Sequence, residues 1–239
     1  MNFFSLFKRK TIFFFKKKIN IDNNKFNKCI KLDDLFIYYK TDKSTKVHGF
    51  SKFYTKHLNK FKNKKINILE IGSAKGGSAA SFVHYFKKSS VFCIDVNLTL
   101  VKYKSKKINF FGLHSSNIRM LNKFLQTVQK KFLIKKFDLI IDDGSHLLSD
   151  QLFSLNYFYK NLNKGGFYII EDYRFPNYFS RCKNVKESTI DVLIKKLKKN
   201  KRIKSKILEN STTHDLYKAK IYPYKGNTKI SDIVFFNKK

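Results

Sequence analysis

Residues 66–78 read INILEIGSAKGGS, a short β-branched run that stops at Gly72 and passes through small residues to a glycine pair. The run Ile66 to Ile71 predicts a buried strand, and Ser78 to Phe86 predicts a helix that starts directly after the glycines. Small residues between them let the backbone turn sharply and approach a ligand closely, beside helix amides that have no partner within the helix. The GxGxxG spacing is missing, because Gly72 and Gly76 stand four apart and position 74 is Ala.

Working outward, the same alternation repeats. Val91 to Asp95, Ile108 to Gly112, Phe137 to Asp142 and Phe167 to Glu171 read as further buried strands. Leu121, Leu125, Val128 and Phe132 share one helical face, Gln151 to Leu162 reads as a helix, and Lys164-Gly165-Gly166 reads as the turn before the fifth strand. Ile190, Leu193, Ile194 and Leu197 mark another helix. Segments near Asp215–Tyr222 and Lys229–Phe236 read as a closing hairpin around Gly226-Asn227. Regular strand–helix alternation predicts an α/β, Rossmann-like, mostly parallel sheet with helices on both faces. The chain divides into a basic arm (1–27), a helical lead-in segment (28–65) and the α/β body (66–239).

Composition sets the limits. The 239 residues carry 51 Lys plus Arg against 17 Asp plus Glu, a formal charge of +34, yet only five of the basic residues are Arg. Nucleic-acid recognition favours the bidentate Arg fork, and abundant Lys, Asn, Ile and Phe read as a coding bias toward A- and T-rich codons, so most of the charge is background. Apolar content of 42% excludes a disordered chain. No apolar run reaches the ~20 residues of a membrane span. Three cysteines, Cys29, Cys93 and Cys182, have neither disulfide nor zinc spacing, which fits a reducing cytoplasm. The first 20 residues hold Phe3, Phe4, Leu6, Phe7 and Ile12 to Phe15 among six basic residues and no acid. Such an arm is expected to lie on an anionic lipid surface, placing the protein at the inner membrane face.

In an open α/β sheet ligands sit beyond the carboxyl ends of the strands, where the scarce acids concentrate here: Glu70, Asp95, Asp142, Asp143, Glu171 and Asp172. The fourth strand runs into Asp142-Asp143-Gly144-Ser145-His146 and the fifth into Glu171-Asp172-Tyr173. Neighbouring strands would crowd these carboxylates, which is costly without a compensating cation. Oxygen ligands from Asp143, Glu171 and Asp172 suit a hard divalent ion such as Mg²⁺, with His146 beside it as general base.

Two resemblances sharpen this. Glu70-Ile71-Gly72-Ser73-Ala74-Lys75-Gly76 resembles the acidic-x-Gly-x-x-x-Gly loop of class I S-adenosylmethionine-dependent methyltransferases. That implies Glu70, Gly72, Ser73, Gly76 and Ser78 at the cofactor, Asp95 accepting from its ribose hydroxyls, and Asp142 close by. The stretch IIDDGSHLLSDQLFSLNYFYKNLNKGGFYIIEDY (140–173) and the upstream LDDLFIYYKTDKSTKVHGFSKFYTKHL (32–58), notably Thr41-Asp42-Lys43, His48-Gly49 and Tyr54, resemble the metal-dependent sugar O-methyltransferases of macrolide and polysaccharide gene clusters. The resemblance implies a seven-stranded sheet with an antiparallel last strand, metal ligands Asp143, Glu171 and Asp172, His146 as base and a sugar or glycan acceptor; a homo-oligomer is a separate expectation. One departure stands out: Gly112-Leu113-His114-Ser115-Ser116-Asn117 lacks the acidic residue that the family carries after the third strand. The competing reading is an RNA or other nucleic-acid methyltransferase using the basic surface. Against it, DDGSH stands where base-amine methylation shows an (Asp/Asn)-Pro-Pro-aromatic motif. A third reading keeps the fold without catalysis, as a membrane-surface or assembly subunit.

Overall fold

A computed structural model describes residues 3–27 and 29–239, with backbone alone for Phe3, Phe4 and Leu6, so the part of the basic arm that rests on those three side chains lies outside the described residues. In chain order the main strands are β1 (Ile66–Ile71), β2 (Ser89–Asp95), β3 (Ile108–Gly112), β4 (Phe137–Asp142), β5 (Leu162–Glu171), β6 (Lys220–Lys225) and β7 (Asp232–Asn237). They form one seven-stranded sheet in the order β3-β2-β1-β4-β5-β7-β6. The first five pair in parallel, and β7 runs antiparallel to both β5 and β6. The helices are α1 (Phe3–Phe15), α2 (Leu32–Tyr38), α3 (Ser51–Leu58), α4 (Gly77–Tyr85), α5 (Ile118–Phe132), α6 (Leu148–Tyr159), α7 (Phe175–Tyr178), α8 (Ile190–Lys198) and α9 (Asn210–Lys218).

Strand periodicity divides the core in two. Ile68, Cys93, Ile141, Ile169 and Phe235 face α2, α3 and α4, through Phe36, Tyr54 and Phe82. Leu69, Phe92, Ile140, Ile170 and Val234 face α5, α6, α8 and α9, through Leu121, Leu152, Leu193 and Leu216. Burial on both faces explains why these strands read as unbroken apolar runs. Glu171 shares the parity of Phe167 and Ile169 and therefore faces the α2–α4 layer.

Three expectations change. The turn at 164–166 is a bulge inside β5, where the register jumps from the pair Phe137–Leu162 to Leu139–Phe167 and Gly165 has φ +76°. The helix expected from Gln151 starts at Leu148 and ends at Tyr159, because Leu148, Leu152 and Leu155 make its buried stripe. Asp215 belongs to α9 rather than to a hairpin strand. Thr212 and Leu216, one helical turn apart, are buried together, and the hairpin begins only at Lys220.

The arm is fastened to the body. Ile19–Asn20 pairs in parallel with Tyr103–Lys104. Phe13 packs edge-on against Phe110 at 5.9 Å, Arg9 Nη1 donates to Val96 O at 3.2 Å and Lys16 Nζ to Thr99 O at 2.6 Å. Among the described residues no helix is long and apolar enough to cross a membrane.

Candidate active site

The glycine loop is shaped by what passes behind it. Gly72 has φ +82°, and a Cβ there would lie 2.0 Å from Asp143 O, so the exits of β1 and β4 can touch only with glycine at this position. Asp143 N closes the contact on Ile71 O at 2.9 Å. Asp95 Oδ2 accepts from the amides of Ser73 and Ala74, each at 2.9 Å, and Oδ1 from Asn97 N at 2.7 Å. The Asp95 carboxylate thus holds the loop open while facing the space in front of it. Gly76, at φ +76°, turns the chain into α4.

Beneath the loop lie groups that touch no open space. Glu70 is fully buried and accepts from Ser78 Oγ and from Cys93 Sγ at 3.7 Å; burial pushes its pKa up to about 7. Asp142, on the other face of the sheet, accepts from Gly144 N at 3.3 Å and Tyr168 OH at 3.4 Å, and burial pushes it up to about 8. In both, burial favours the neutral form of the carboxyl.

In front of the loop opens a cavity of about 380 Å³ lined by Asp42, Gly72, Ala74, Asp95, Leu113, His114, Ser115, Asp143 and Gly144, among others. Its volume lies in the range of small-molecule sites. Of the residues expected at a cofactor, Gly72 and Asp95 line it; Ser73 contributes its amide to Asp95; Glu70, Ser78 and Asp142 stand behind the wall. Leu113 and His114 are lining residues that carried no cofactor role in the sequence, and Asp42 of the Thr41-Asp42-Lys43 triplet lines the cavity with them.

At the ends of β4 and β5 the acids separate into two groups. Asp143, His146 and Asp172 each offer a ligand atom within 4.8 Å of the others. His146 Nε2 stands 3.9 Å from Asp143 Oδ1. Burial raises Asp172 to about 6 against the opposing pull of His146, and its Oδ1 is buried with no hydrogen-bond partner. His146 and Asp172 have φ of +57° and +49°, a left-handed backbone that His and Asp tolerate better than most residues and that concentrates at functional positions. Glu171 goes elsewhere. One oxygen accepts from Tyr54 OH and the other from Lys43 Nζ at 2.7 Å; burial drives its pKa well above the usual carboxylate range, with Lys43 opposing.

Lys43 stood in the sequence only as a member of the Thr41-Asp42-Lys43 triplet, with no role at the carboxylates. Its side chain is 2% exposed, and Nζ also lies 2.5 Å from Asp143 Oδ2. Burial works against its charge, but Asp143 and Glu171 outweigh burial and hold the pKa well above the ordinary lysine value. The other histidines are placed too. His48 stacks on Phe50, bonds Ser231 Oγ through Nδ1 and faces Asp42 Oδ2 at 3.6 Å. His57 is packed among Phe167, Tyr222 and Phe235 with Nε2 2.7 Å from Tyr224 OH, and burial lowers it to about 4. His84 stacks on Tyr39, and His214 is exposed.

The strand order and the loop beyond β1 define a class I methyltransferase fold, and residues 69–173 match the family model described as a methyltransferase domain. Among curated proteins the chain is 31% identical over 161 residues to the L-olivosyl-oleandolide 3-O-methyltransferase of Streptomyces antibioticus, covering 64% of this chain and 39% of that one. It is 25% identical over 148 residues to the mycinamicin VI 2''-O-methyltransferase of Micromonospora griseorubida, covering 59% and 35%. The chain therefore spans less than half the length of these relatives. Among solved structures, the MycE methyltransferase of the mycinamycin pathway in complex with Mg, SAH and mycinamycin VI superimposes with a TM-score of 0.65 at 19% identity, covering 87% of this chain and 54% of that one. A ribosomal RNA methyltransferase of Plasmodium falciparum gives 0.52 at 19% identity, covering 80% and 94%; both likenesses bear on the fold alone.

Proposed function

We propose that this protein is an S-adenosylmethionine-dependent, Mg²⁺-dependent O-methyltransferase acting on a sugar hydroxyl of a glycan or glycosylated metabolite. One observation carries the reading: Asp143 lines the cavity in front of the glycine loop and also belongs to the Asp143–His146–Asp172 cluster, so a cofactor site and a proton-accepting site share a wall. The names of the curated relatives, O-methyltransferases of glycosylated substrates, support the acceptor class.

The residues fit a hard divalent ion. Asp172 keeps a buried oxygen without a hydrogen-bond partner and shares a cluster with Asp143, so two carboxylates are available to the ion with His146 beside them. When bound, S-adenosylmethionine supplies an electrophilic methyl group and the ion supplies positive charge at the acceptor hydroxyl. The chain's own residues do the rest. Asp42, Asp95 and the loop amides shape the cofactor cavity, and the imidazole of His146 takes the hydroxyl proton as the new oxygen–carbon bond forms and the sulfur–carbon bond breaks. In this reading 1–27 is a docking arm, 28–65 covers the site, and 66–239 is the catalytic body.

The direct test is methyl transfer from labelled S-adenosylmethionine to glycosylated macrolides, free deoxysugars and RNA, with Mg²⁺ or with chelator. Transfer to the glycosides, falling at least tenfold on chelation, is expected. Transfer to RNA alone would favour the competing reading.

The arm supports a peripheral contact with an anionic membrane. Along α1, Phe7, Phe14 and Phe15 are 63%, 78% and 79% exposed, with Lys8, Lys10 and Lys17 around them. Binding to phosphatidylglycerol vesicles in low salt is expected to drop at least tenfold in the double variant Phe14→Glu, Phe15→Glu. Equal binding by both proteins would dismiss the contact.

A further inference from the structure

A lysine sealed among carboxylates is not a surface accident, however many lysines the chain has. Lys43 enters the site from the lead-in segment, between α2 and α3, and crosses to the carboxyl ends of β4 and β5. It takes Oδ2 of Asp143, while Oδ1 of the same carboxylate is the atom nearest His146. Glu171 is braced from the opposite side by Tyr54 of α3. The backbone around Lys43 is pinned as well: Ser51 N donates to Lys43 O at 2.9 Å and His48 N to Asp42 O at 2.9 Å. The preceding residue, Asp42, lines the cofactor cavity.

We infer that Lys43 is the positioning residue of this site, a built-in cation that fixes which Asp143 oxygen faces His146 and Asp172 and that ties the Asp42 wall of the cofactor cavity to the carboxylate floor. The inference rests on the metal-dependent methyl-transfer reading above. Two consequences follow from its charge and its anchorage. A positive charge within hydrogen-bond distance of Asp143 repels any divalent ion that shares this carboxylate, so Lys43 weakens ion binding while it orders the site. Loss of its anchorage frees residues 42–51 and with them Asp42, so cofactor binding suffers.

The 239-residue chain tests this with Lys43→Met and Lys43→Arg. Calorimetric titration is expected to show Mn²⁺ binding at least tenfold tighter in Lys43→Met than in the wild type, with Lys43→Arg close to the wild type. In the same Lys43→Met protein KM for S-adenosylmethionine is expected to rise at least fivefold, and amide hydrogen exchange in residues 43–51 to accelerate at least tenfold. A site that is merely damaged would bind the ion more weakly, so equal or weaker Mn²⁺ binding with unchanged exchange overturns the role. If Lys43→Met does not fold, the wild type still decides: exchange at 43–51 is expected to be equally slow with and without Mn²⁺, and acceleration by Mn²⁺ would mean that the ion displaces the ammonium. Absence of Mn²⁺ binding by the wild type would instead sink the metal reading, leaving Lys43 to be judged by exchange and KM.

Discussion

Replacing His146 with alanine is expected to lower kcat for methyl transfer by about 10²- to 10⁴-fold, the usual worth of a positioned general base, while S-adenosylmethionine still binds. The expectation comes from how the side chain is held. His146 follows β4 by four residues and is presented from a left-handed backbone position, with φ +57°. Its ring lies 5.2 Å from that of Phe175, and Nε2 stands 3.9 Å from Asp143 Oδ1, so an imidazolium formed by proton uptake would find a carboxylate beside it. The side chain keeps 23% exposure, enough to meet an acceptor that the buried acids cannot reach. None of the cavity-lining residues in front of the glycine loop is altered by this change, so cofactor affinity measured by calorimetry should stay within about threefold, which is ~0.7 kcal/mol. Unchanged turnover in His146→Ala removes the base assignment. A loss of Mn²⁺ binding as large as the loss of turnover would make His146 an ion ligand in the first place.

Much of this arrangement could be read from sequence, for identifiable reasons. Parallel strands buried on both faces leave continuous apolar runs, and each run here ends at an acid or a glycine, so β1 to β5 and their carboxyl ends stood out. Gly72 was legible because a close backbone approach demands glycine, although its partner, Asp143 O, comes from 71 residues further along. The segment 210–218 was not legible, since NSTTHDLYK offers only Leu216 and Tyr217 as large apolar residues and its helix is held by contacts made elsewhere. Lys43 stood out only within the Thr41-Asp42-Lys43 triplet, and its pairing was not legible because its partners, Asp143 and Glu171, lie 100 and 128 residues further along. The direction of Glu171 was available in principle, because strand parity puts it with Phe167 and Ile169, facing Tyr54, while Asp172 leaves the strand and turns toward His146. The large positive charge played little part in the site, whose cation is a single buried ammonium.

Asp143→Ala is expected to be the most damaging single change at the site, because three relations end on that carboxylate. It is one of the two carboxylates that hold Lys43, it flanks His146, and it belongs to the cluster that could hold an ion with Asp172. Methyl transfer should fall by about 10³-fold, the upper end of what the loss of one preorganised electrostatic group costs. Stability should fall by about 1.5–3 kcal/mol, the worth of a hydrogen bond to a charged group, since Lys43 loses the partner 2.5 Å away and keeps only Glu171. That is less than the cost of stranding a buried charge completely, and denaturant unfolding distinguishes the two. The ion dependence should disappear with the carboxylate: Mn²⁺ that raises the melting temperature of the wild type should leave Asp143→Ala unmoved, because an ion stabilises a fold only through a site it binds. Asp143→Asn separates the contributions. The amide oxygen can still accept from Lys43, so most of the stability should return, while the missing charge keeps ion binding and turnover low. Full turnover of either variant, or full wild-type turnover in excess chelator, would detach Asp143 from the chemistry and leave it as Lys43's counterion alone.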